Sequence, residues 1–142
     1  MMFATQHYFA NAVGAVDFVP KSCVYLHWTG APMSSAELRA LYVHTRSLLQ
    51  RHELCCLLAD HRAMPAALTP ADQNWLLNQW LPQTLAETKQ LRYAALPTTD
   101  PTHRLHTEPV MRELRRYATV SLFSDLDQAA AWLRLPSNLA SA

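Results

Sequence analysis

The sequence contains very little glycine. Gly14 and Gly30 are the only two in 142 residues, and they lie sixteen positions apart. The dinucleotide-binding motif G-x-G-x-x-G, the phosphate-binding loop G-x-x-x-x-G-K-[ST] and the nucleophile elbow G-x-S-x-G each need at least two glycines at short, fixed spacing. The sequence therefore excludes all three motifs, and with them glycine-rich phosphate cradles in general.

Charge and long apolar runs are also limited. Charged residues make up 16% of the chain and hydrophobic residues 50%, which is too apolar for a disordered chain. No apolar run approaches the ~18 residues of a membrane span, so we predict no membrane insertion. A length near 150 residues predicts a single domain over 1–142, with an ordered core over about 6–134 and a frayed tail over 136–142.

Basic residues are not concentrated in any part of the chain. The 12 Lys and Arg residues nearly balance the 11 Asp and Glu residues, giving a net charge of +1. The densest basic group consists of Arg112, Arg115 and Arg116 on one short predicted helix. Nucleic-acid binding needs a larger basic footprint, so we interpret this group as a solvated helix face and predict no nucleic-acid partner.

Only three cysteines are present, and none belongs to a C-x-x-C motif. Cys55 and Cys56 are adjacent in an apolar run, whereas Cys23 is distant in sequence. The odd count does not suit a disulfide framework, and the N-terminus lacks the features of a secretory signal, so we predict a cytoplasmic protein. Because adjacent strand residues point to opposite faces, we interpret Cys55 and Cys56 as small core residues rather than a redox or metal-binding pair.

The seven histidines do not form a recognisable metal site. Only His103 and His106 have the i, i+3 spacing of ligands on one helix face, and no third good ligand lies beside them. A structural zinc site needs four ligands in a tight pattern. We therefore predict no metal site and no cofactor.

Capping residues and hydrophobic periodicity predict two long helices. Ser34 and Glu37 form a capping-box pattern, and apolar residues then recur at helical spacing over about 35–52. Thr69 is the predicted N-cap of a second helix, which carries a broad apolar stripe. Pro82 interrupts that stripe and should kink the helix or begin a new turn, because proline has no N–H to donate.

The remaining pattern predicts an α/β protein. Six apolar residues precede Asp60 in the run Leu54–Asp60, so both faces of this strand must be covered, as in a central strand between helix layers. Residues 98–107 have a loop-like composition before a weaker helix that carries Met111 and Leu114. The full order is β-β-β-α-β-α-β-α-β-α, which predicts a mixed sheet with N-terminal antiparallel strands and crossover helices.

Several short stretches carry a resemblance to a known family: Leu26–Gly30, Leu57–Arg62, Thr69–Trp75, Trp80–Pro82, Phe123–Leu126 and Ala131–Leu133. Through them the chain resembles the STAS-like family, whose fold is shared by anti-sigma-factor antagonists and sulphate-transporter tails. It is similar in particular to small, stand-alone bacterial members of that family. The resemblance covers roughly residues 6–134 and implies a STAS-like mixed sheet. Its motifs mark structure rather than chemistry.

Signalling members of that family carry a phosphorylatable Ser or Thr at the start of the helix that follows the central strand. The resemblance implies Thr69 as the corresponding hydroxyl here. However, residues 60–70 contain no glycine and no Asp-Ser pair, unlike the loop of the signalling members. Thr69 also fits the position of a helix N-cap, where a backbone N–H occupies its oxygen, and we favour that role over a phosphosite.

Asp60, His61 and Arg62 follow the predicted central strand directly. Ligand clefts in open α/β sheets form beyond the carboxyl ends of the strands, so these residues are our candidate ligand-binding site. The alternative is structural, with Asp60 capping the following turn and pairing with Arg62. A catalytic role would need His61 in an open cleft beside a second group of displaced pKa.

Four tryptophans are many for a chain of this size. Trp75 and Trp80 lie on the second predicted helix, and we propose them as an interface for a homodimer or another protein partner. The sequence thus favours a non-enzymatic, cytoplasmic binding or protein-interaction module. The alternative function is a sensor or carrier of a small anionic or lipid-like ligand, bound beyond the central strand.

Overall fold

The chain folds around a six-stranded mixed sheet. The computed structural model describes residues 4–66, 68–88, 90–98 and 100–135, without the side chains of 102–107. The strands are β1 (Gln6–Ala10), β2 (Gly14–Val19), β3 (Cys23–Trp28), β4 (Cys56–Asp60), β5 (Arg92–Leu96) and β6 (Thr119–Leu122). They lie in chain order across the sheet. The first three are antiparallel, and β3 to β6 are parallel. The predicted α/β class with a mixed sheet is confirmed.

The helices lie between the parallel strands and after the last one. They are α1 (Ser35–Arg51), α2 (Pro70–Trp75), α3 (Leu81–Glu87), α4 (Pro101–Arg115) and α5 (Leu126–Trp132). The order matches the prediction, with α2 and α3 taking the place of one helix. The predicted frayed tail at 136–142 lies outside the described residues. Among the helices that the structure describes, none combines the length and apolar character needed to cross a membrane.

The predicted interruption at Pro82 is confirmed. A π-helical segment, Leu76–Trp80, joins α2 to α3, and Pro82 lies in the first turn of α3. The backbone N–H of Leu81 bonds to the carbonyl of Leu76, five residues earlier. Pro82 has no N–H to donate to the preceding helical turn, so an unmodified α-helix would lose a hydrogen bond there and meet the proline ring. The wider turn thus allows the chain to continue in the helical direction past the proline.

The prediction of a loop over 98–107 is wrong from residue 101 onward, because α4 begins at Pro101. Pro101 holds the first helical position, where the missing N–H costs little. Pro109 lies inside the same helix. Met111 and Leu114 are buried, so packing of this helix against the sheet outweighs the unfavourable propensity of an internal proline.

The two faces of the sheet carry different layers. The larger core contains inward side chains of every strand from β2 to β5, such as Leu26, Leu57 and Ala95, together with residues of α1 to α4. The smaller core lies under α5 and includes Leu58 and Ala94. Strand β4 contributes to both cores, which confirms the prediction of a strand covered on both faces. Right-handed crossovers that proceed in one direction place their helices on one face, which leaves the other to α5.

The backbone geometry requires glycine at both positions where it occurs. A Cβ at Gly14 would lie 2.5 Å from the carbonyl oxygen of His27 on the neighbouring strand, so β2 and β3 approach closely only because this position has no side chain. Gly30 follows β3 with φ +88°, a conformation that other residues rarely adopt. Neither glycine faces a predicted site.

Candidate functional site

A cavity of about 70 Å³ lies on the face of the sheet that α1 to α4 cover, near the carboxyl ends of β4 and β5. His61, directly after β4, and Tyr93 of β5 contribute polar atoms to its wall. Met64 and Met111 contribute flexible apolar surface. Glu108 of α4 also lines the cavity, and its half-exposed side chain places it at the mouth. This location agrees with the general position of ligand sites in open α/β sheets.

Three aromatic side chains form a hydrogen-bonded row beside the cavity. Trp28 Nε1–H donates to His61 Nδ1 over 2.8 Å, and His61 Nε2 lies 3.3 Å from the Tyr93 hydroxyl oxygen. Because an indole nitrogen can only donate, His61 Nδ1 accepts, and the proton of the neutral ring is on Nε2. Nε2–H then donates to the Tyr93 oxygen. The Tyr93 hydroxyl proton is therefore not used within this row.

Burial keeps the polar wall of the cavity uncharged. Burial lowers the pKa of His61 to about 4, although the negative charge of Asp60 acts in the opposite direction. Burial raises the pKa of Tyr93 well above its usual value. The pKa of Tyr42, which also lines the cavity, is raised by burial and by its proximity to Tyr93. At neutral pH these three side chains offer hydrogen bonds without charge.

The structure separates the three residues predicted to bind a ligand together. Asp60 is the last residue of β4 and points away from the cavity, whereas His61 lines it. Asp60 Oδ1 accepts from the backbone N–H of Arg62 at 3.1 Å, and its carboxylate pairs with the guanidinium at 2.9 and 2.8 Å. Burial acts to raise the pKa of Asp60, but these bonds and the charge of Arg62 outweigh it and lower that pKa. This geometry matches the structural role considered for Asp60 in the sequence, in which it caps the following turn and pairs with Arg62.

Thr69 occupies the predicted N-cap position. Its hydroxyl oxygen accepts from the backbone N–H of Asp72 at 3.1 Å, at the start of α2. The N-cap prediction is confirmed. The hydroxyl oxygen is thereby engaged in stabilising the helix terminus.

The interface prediction is wrong for Trp80. Its side chain is only 3% exposed, and its indole N–H donates to the carbonyl oxygen of Tyr42 at 2.6 Å. Trp80 therefore belongs to the core and is not available to a partner. Trp75 is half-buried, with the guanidinium of Arg39 5.3 Å from its ring centre, and Arg39 also pairs with Asp72 at 3.1 Å. A role for Trp75 in homodimerisation stays a prediction.

The cysteine interpretation is wrong for Cys55, which is exposed and precedes β4 rather than lying in it. Cys23 is buried and Cys56 is partly buried, both in the smaller core. The side chains of His103 and His106 lie outside the description. Among the residues that the structure does describe, no group of three or more His, Cys, Asp or Glu side chains is arranged to hold a metal ion.

Sequence reasoning missed the tyrosines of the cavity. Tyr93 belongs to a short apolar run, and nothing in that run distinguishes it from a core residue. The signal that could have found it is the sheet register. In parallel β4 and β5, Tyr93 pairs with Leu57, so both side chains point to the face that α1 to α4 cover, below His61.

Comparisons with known proteins do not identify the chain. No protein-family model matches it, and no curated protein and no solved structure is significantly similar to it. The STAS-like resemblance therefore stays a prediction.

Proposed function

We propose that the protein binds a small, uncharged, mainly apolar molecule with one hydrogen-bond acceptor, and that the cavity beside His61 holds it. The observation that carries the proposal is the row from Trp28 through His61 to Tyr93, which leaves the Tyr93 hydroxyl proton without a partner in that row. A mainly apolar site in which the Tyr93 hydroxyl can donate fits a ligand with a carbonyl or ether oxygen. The function is that of a sensor or carrier.

The charges around the cavity favour a neutral ligand over an anion. Glu108 is the one charged side chain among the described residues that line it, and it would repel a carboxylate. Arg115 pairs with Glu108 at 3.4 Å on the exposed side. Arg62, the cation predicted to hold an anion, is engaged by Asp60. The anionic ligand predicted from the sequence is thus replaced by an uncharged one.

The polar groups of the cavity favour binding over catalysis. A general acid or base works best when its pKa lies near the ambient pH. Burial lowers the pKa of His61 to about 4 and raises that of Tyr93, so both move away from neutrality. At pH 7 His61 is therefore a neutral imidazole and Tyr93 a neutral phenol. They are suited to hold a ligand oxygen in place.

The cavity volume limits the size of the ligand. At about 70 Å³ it is smaller than a cavity of roughly 150 Å³ that holds benzene. Met64 and Met111 line it, and their unbranched side chains can adjust to extra volume. We therefore propose a short-chain or small-ring molecule, or the terminal group of a longer one that projects past Glu108.

Binding is tested by NMR titration with cyclopentanone, cyclopentane and butanoate as probes. We expect saturable shifts at cavity residues for the ketone, weaker binding of the alkane and no binding of the carboxylate. In Tyr93→Phe, affinity for the ketone should fall about fivefold, because one hydrogen bond contributes about 1 kcal/mol. Affinity for the alkane should not change, since it accepts no hydrogen bond.

The matched control is Tyr25→Phe, which removes a tyrosine hydroxyl from the opposite face of the sheet. Tyr25 packs against the smaller core and stacks on His27, with ring centres 4.5 Å apart. Ketone binding should therefore equal that of the wild type. Tighter binding of butanoate than of cyclopentanone would contradict the proposal, as would equal losses in Tyr93→Phe for the ketone and the alkane.

This proposal develops the predicted sensor or carrier rather than the predicted protein-interaction module. The interaction module was motivated by Trp75 and Trp80 as apolar surface, and Trp80 lies in the core. The sensor was motivated by the position of residues after the central strand. His61 lines a cavity at that position.

A further inference from the structure

Two cysteines begin neighbouring strands on the same face of the sheet. Cys23 is the first residue of β3 and Cys56 the first of β4. The strands are parallel, and the register pairs Val24 with Leu57, so Cys23 and Cys56 are the pair immediately before. Both cysteines belong to the core under α5. Neighbouring strands lie about 4.8 Å apart, within the Cα separation of about 4.4–6.8 Å that disulfides span.

Cys56 is electrostatically activated at this position. The Cys23 thiol, which donates to the carbonyl oxygen of Val24 at 3.4 Å, is the neighbour that most lowers the pKa of Cys56. Burial opposes this shift, the charge of Arg92 and the Cys55 thiol add to it, and the pKa of Cys56 is about 7. Arg92 is the register partner of Cys56 on β5. Its guanidinium is fixed by Trp132, over whose ring it lies at 4.2 Å and to whose carbonyl it donates at 2.9 Å. A fixed cation beside a partly exposed thiol is the environment of a reactive cysteine.

Cys23 has the complementary properties. It is fully buried, and burial together with Cys56 raises its pKa well above the usual value. It therefore remains a protonated thiol beside Cys56 and does not react first with a solute. A buried thiol next to a reactive one is placed to resolve an oxidised sulfur rather than to attack an oxidant.

Cys55 is less suited than Cys56 to be the reactive thiol, and less suited than Cys23 to be the resolving thiol. Its pKa is raised by burial and by Cys56, although the residue is largely exposed. Adjacent Cα atoms across a trans peptide are about 3.8 Å apart, below the usual disulfide range. A bridge between Cys55 and Cys56 would therefore strain the backbone. Cys23 is the better partner.

We propose that Cys56 is a hydroperoxide-sensitive thiol that closes a reversible disulfide with Cys23. The Cys56 thiolate attacks the distal peroxide oxygen; an S–O bond forms, the O–O bond breaks, and the alkoxide or hydroxide leaves with a solvent proton. Sulfur is oxidised to a sulfenic acid and the peroxide is reduced. The Cys23 sulfur then attacks the Cys56 sulfur, so that an S–S bond forms and an S–O bond breaks. The hydroxide that leaves takes the Cys23 proton as water.

The bridge would join β3 and β4 at their amino ends, whereas the proposed cavity lies near the carboxyl end of β4. The modification is thus independent of the ligand proposal. Exchange with a free thiol would reverse the bridge. Oxidation would covalently link β3 and β4, which both contribute side chains to the larger and the smaller core.

Peptide mapping after treatment of the whole chain with hydrogen peroxide tests the proposal. We expect a Cys23–Cys56 disulfide that dithiothreitol removes. Cys55→Ser should form it at a rate within twofold of the wild type, because Cys55 supplies neither sulfur of the bridge and serine keeps a hydrogen-bond donor at that position. Cys56→Ser should form no intramolecular disulfide. Cys23→Ala should stop at a sulfenic acid on Cys56, which dimedone traps.

Other products would overturn the proposal. They are a Cys55–Cys56 bridge, a bridge between two chains through Cys55, or first oxidation at Cys55. Since Cys23 is buried, its alanine variant can lose stability. In that case the Cys55→Ser chain decides, because it retains only the two proposed partners: absence of the disulfide under peroxide contradicts the proposal, and its presence supports it.

Discussion

The two ends of β4 place titratable side chains in opposite situations. At the carboxyl end, the partly buried His61 lies between Trp28 and Tyr93, and loss of solvent around its ring lowers its pKa to about 4. At the amino end, Cys56 meets the Cys23 thiol and the Arg92 cation, which outweigh burial and lower its pKa to about 7. Burial decides the charge of the first group, and hydrogen bonding and charge decide that of the second.

This difference separates a binding site from a reactive site. A group with a pKa far from neutrality holds one protonation state and serves as a fixed donor or acceptor. A group with a pKa near neutrality exists in both states, so its reactive form is available without a large free-energy cost. Cys56 and His61 are five positions apart, roughly 16 Å of extended chain.

The largest expected effect is a loss of stability in acid caused by His61. Its pKa is about 4 in the folded chain and ordinarily 6.5, so between these values the unfolded state binds the proton and the folded state does not. The free energy of unfolding should therefore be fully present above pH 6.5. It should decrease by up to about 3 kcal/mol as the pH falls to about 4. Urea denaturation at several pH values between 7 and 4 measures this loss.

His61→Gln provides the comparison, because glutamine keeps a hydrogen-bonding side chain and does not titrate. Its stability at pH 7 should be lower than that of the wild type, but its loss between pH 6.5 and 4 should be smaller. His52→Gln is the matched control, since the His52 side chain is exposed and its ring stacks on the edge of the core at Phe18, with ring centres 5.0 Å apart. It should retain the wild-type pH dependence. The same slope in all three chains would show that burial does not control the charge of His61.

A smaller effect is expected at the other end of the strand, in the alkylation of Cys56 by iodoacetamide. At pH 7 Cys56 should react roughly fivefold faster than Cys55, because its larger thiolate fraction outweighs the lower nucleophilicity of a less basic thiolate. Its rate should rise with a midpoint near pH 7. Mass spectrometry of the two sites measures both rates. Exposure alone predicts the reverse order, since Cys55 is the more exposed residue.

Arg92→Gln sharpens this prediction. Removing the cation should raise the midpoint of Cys56 alkylation, because Arg92 lowers the pKa of that thiol. An unchanged midpoint would assign the effect to the neighbouring Cys23 and Cys55 thiols instead. Faster alkylation of Cys55 than of Cys56 in the wild type at pH 7 would contradict the proposed activation.

Much of the architecture is predictable because it depends on local signals. The caps at Ser34 and Thr69, the interruption at Pro82 and the doubly covered strand before His61 all follow from neighbouring residues. The start of α4 was not predictable in this way. Its formation depends on the packing of Met111 and Leu114 on the sheet, which local propensity does not include.

The sites were less predictable because they depend on register and side-chain direction. Asp60 and His61 are adjacent in sequence, yet strand alternation places them on different sides of the sheet. Cys55 and Cys56 are also adjacent in sequence, yet the neighbour of Cys56 in the sheet is Cys23, thirty-three positions earlier. That contact depends on the pairing of β3 with β4, which periodicity alone does not specify.

The smallest effect is expected for Asp60→Asn, which tests the separation of Asp60 from His61. The Arg62 side chain is 44% exposed, so its ion pair with Asp60 contributes little, and the amide can still accept from the Arg62 backbone N–H. Unfolding free energy should fall by no more than about 1 kcal/mol. Because Asp60 acts to raise the pKa of His61, its removal should lower that pKa further and leave the cavity uncharged at neutral pH. Cyclopentanone should therefore bind with wild-type affinity. If Asp60→Asn lost as much cyclopentanone affinity as Tyr93→Phe, Asp60 and His61 would act as one site, although their side chains point to opposite faces of the sheet.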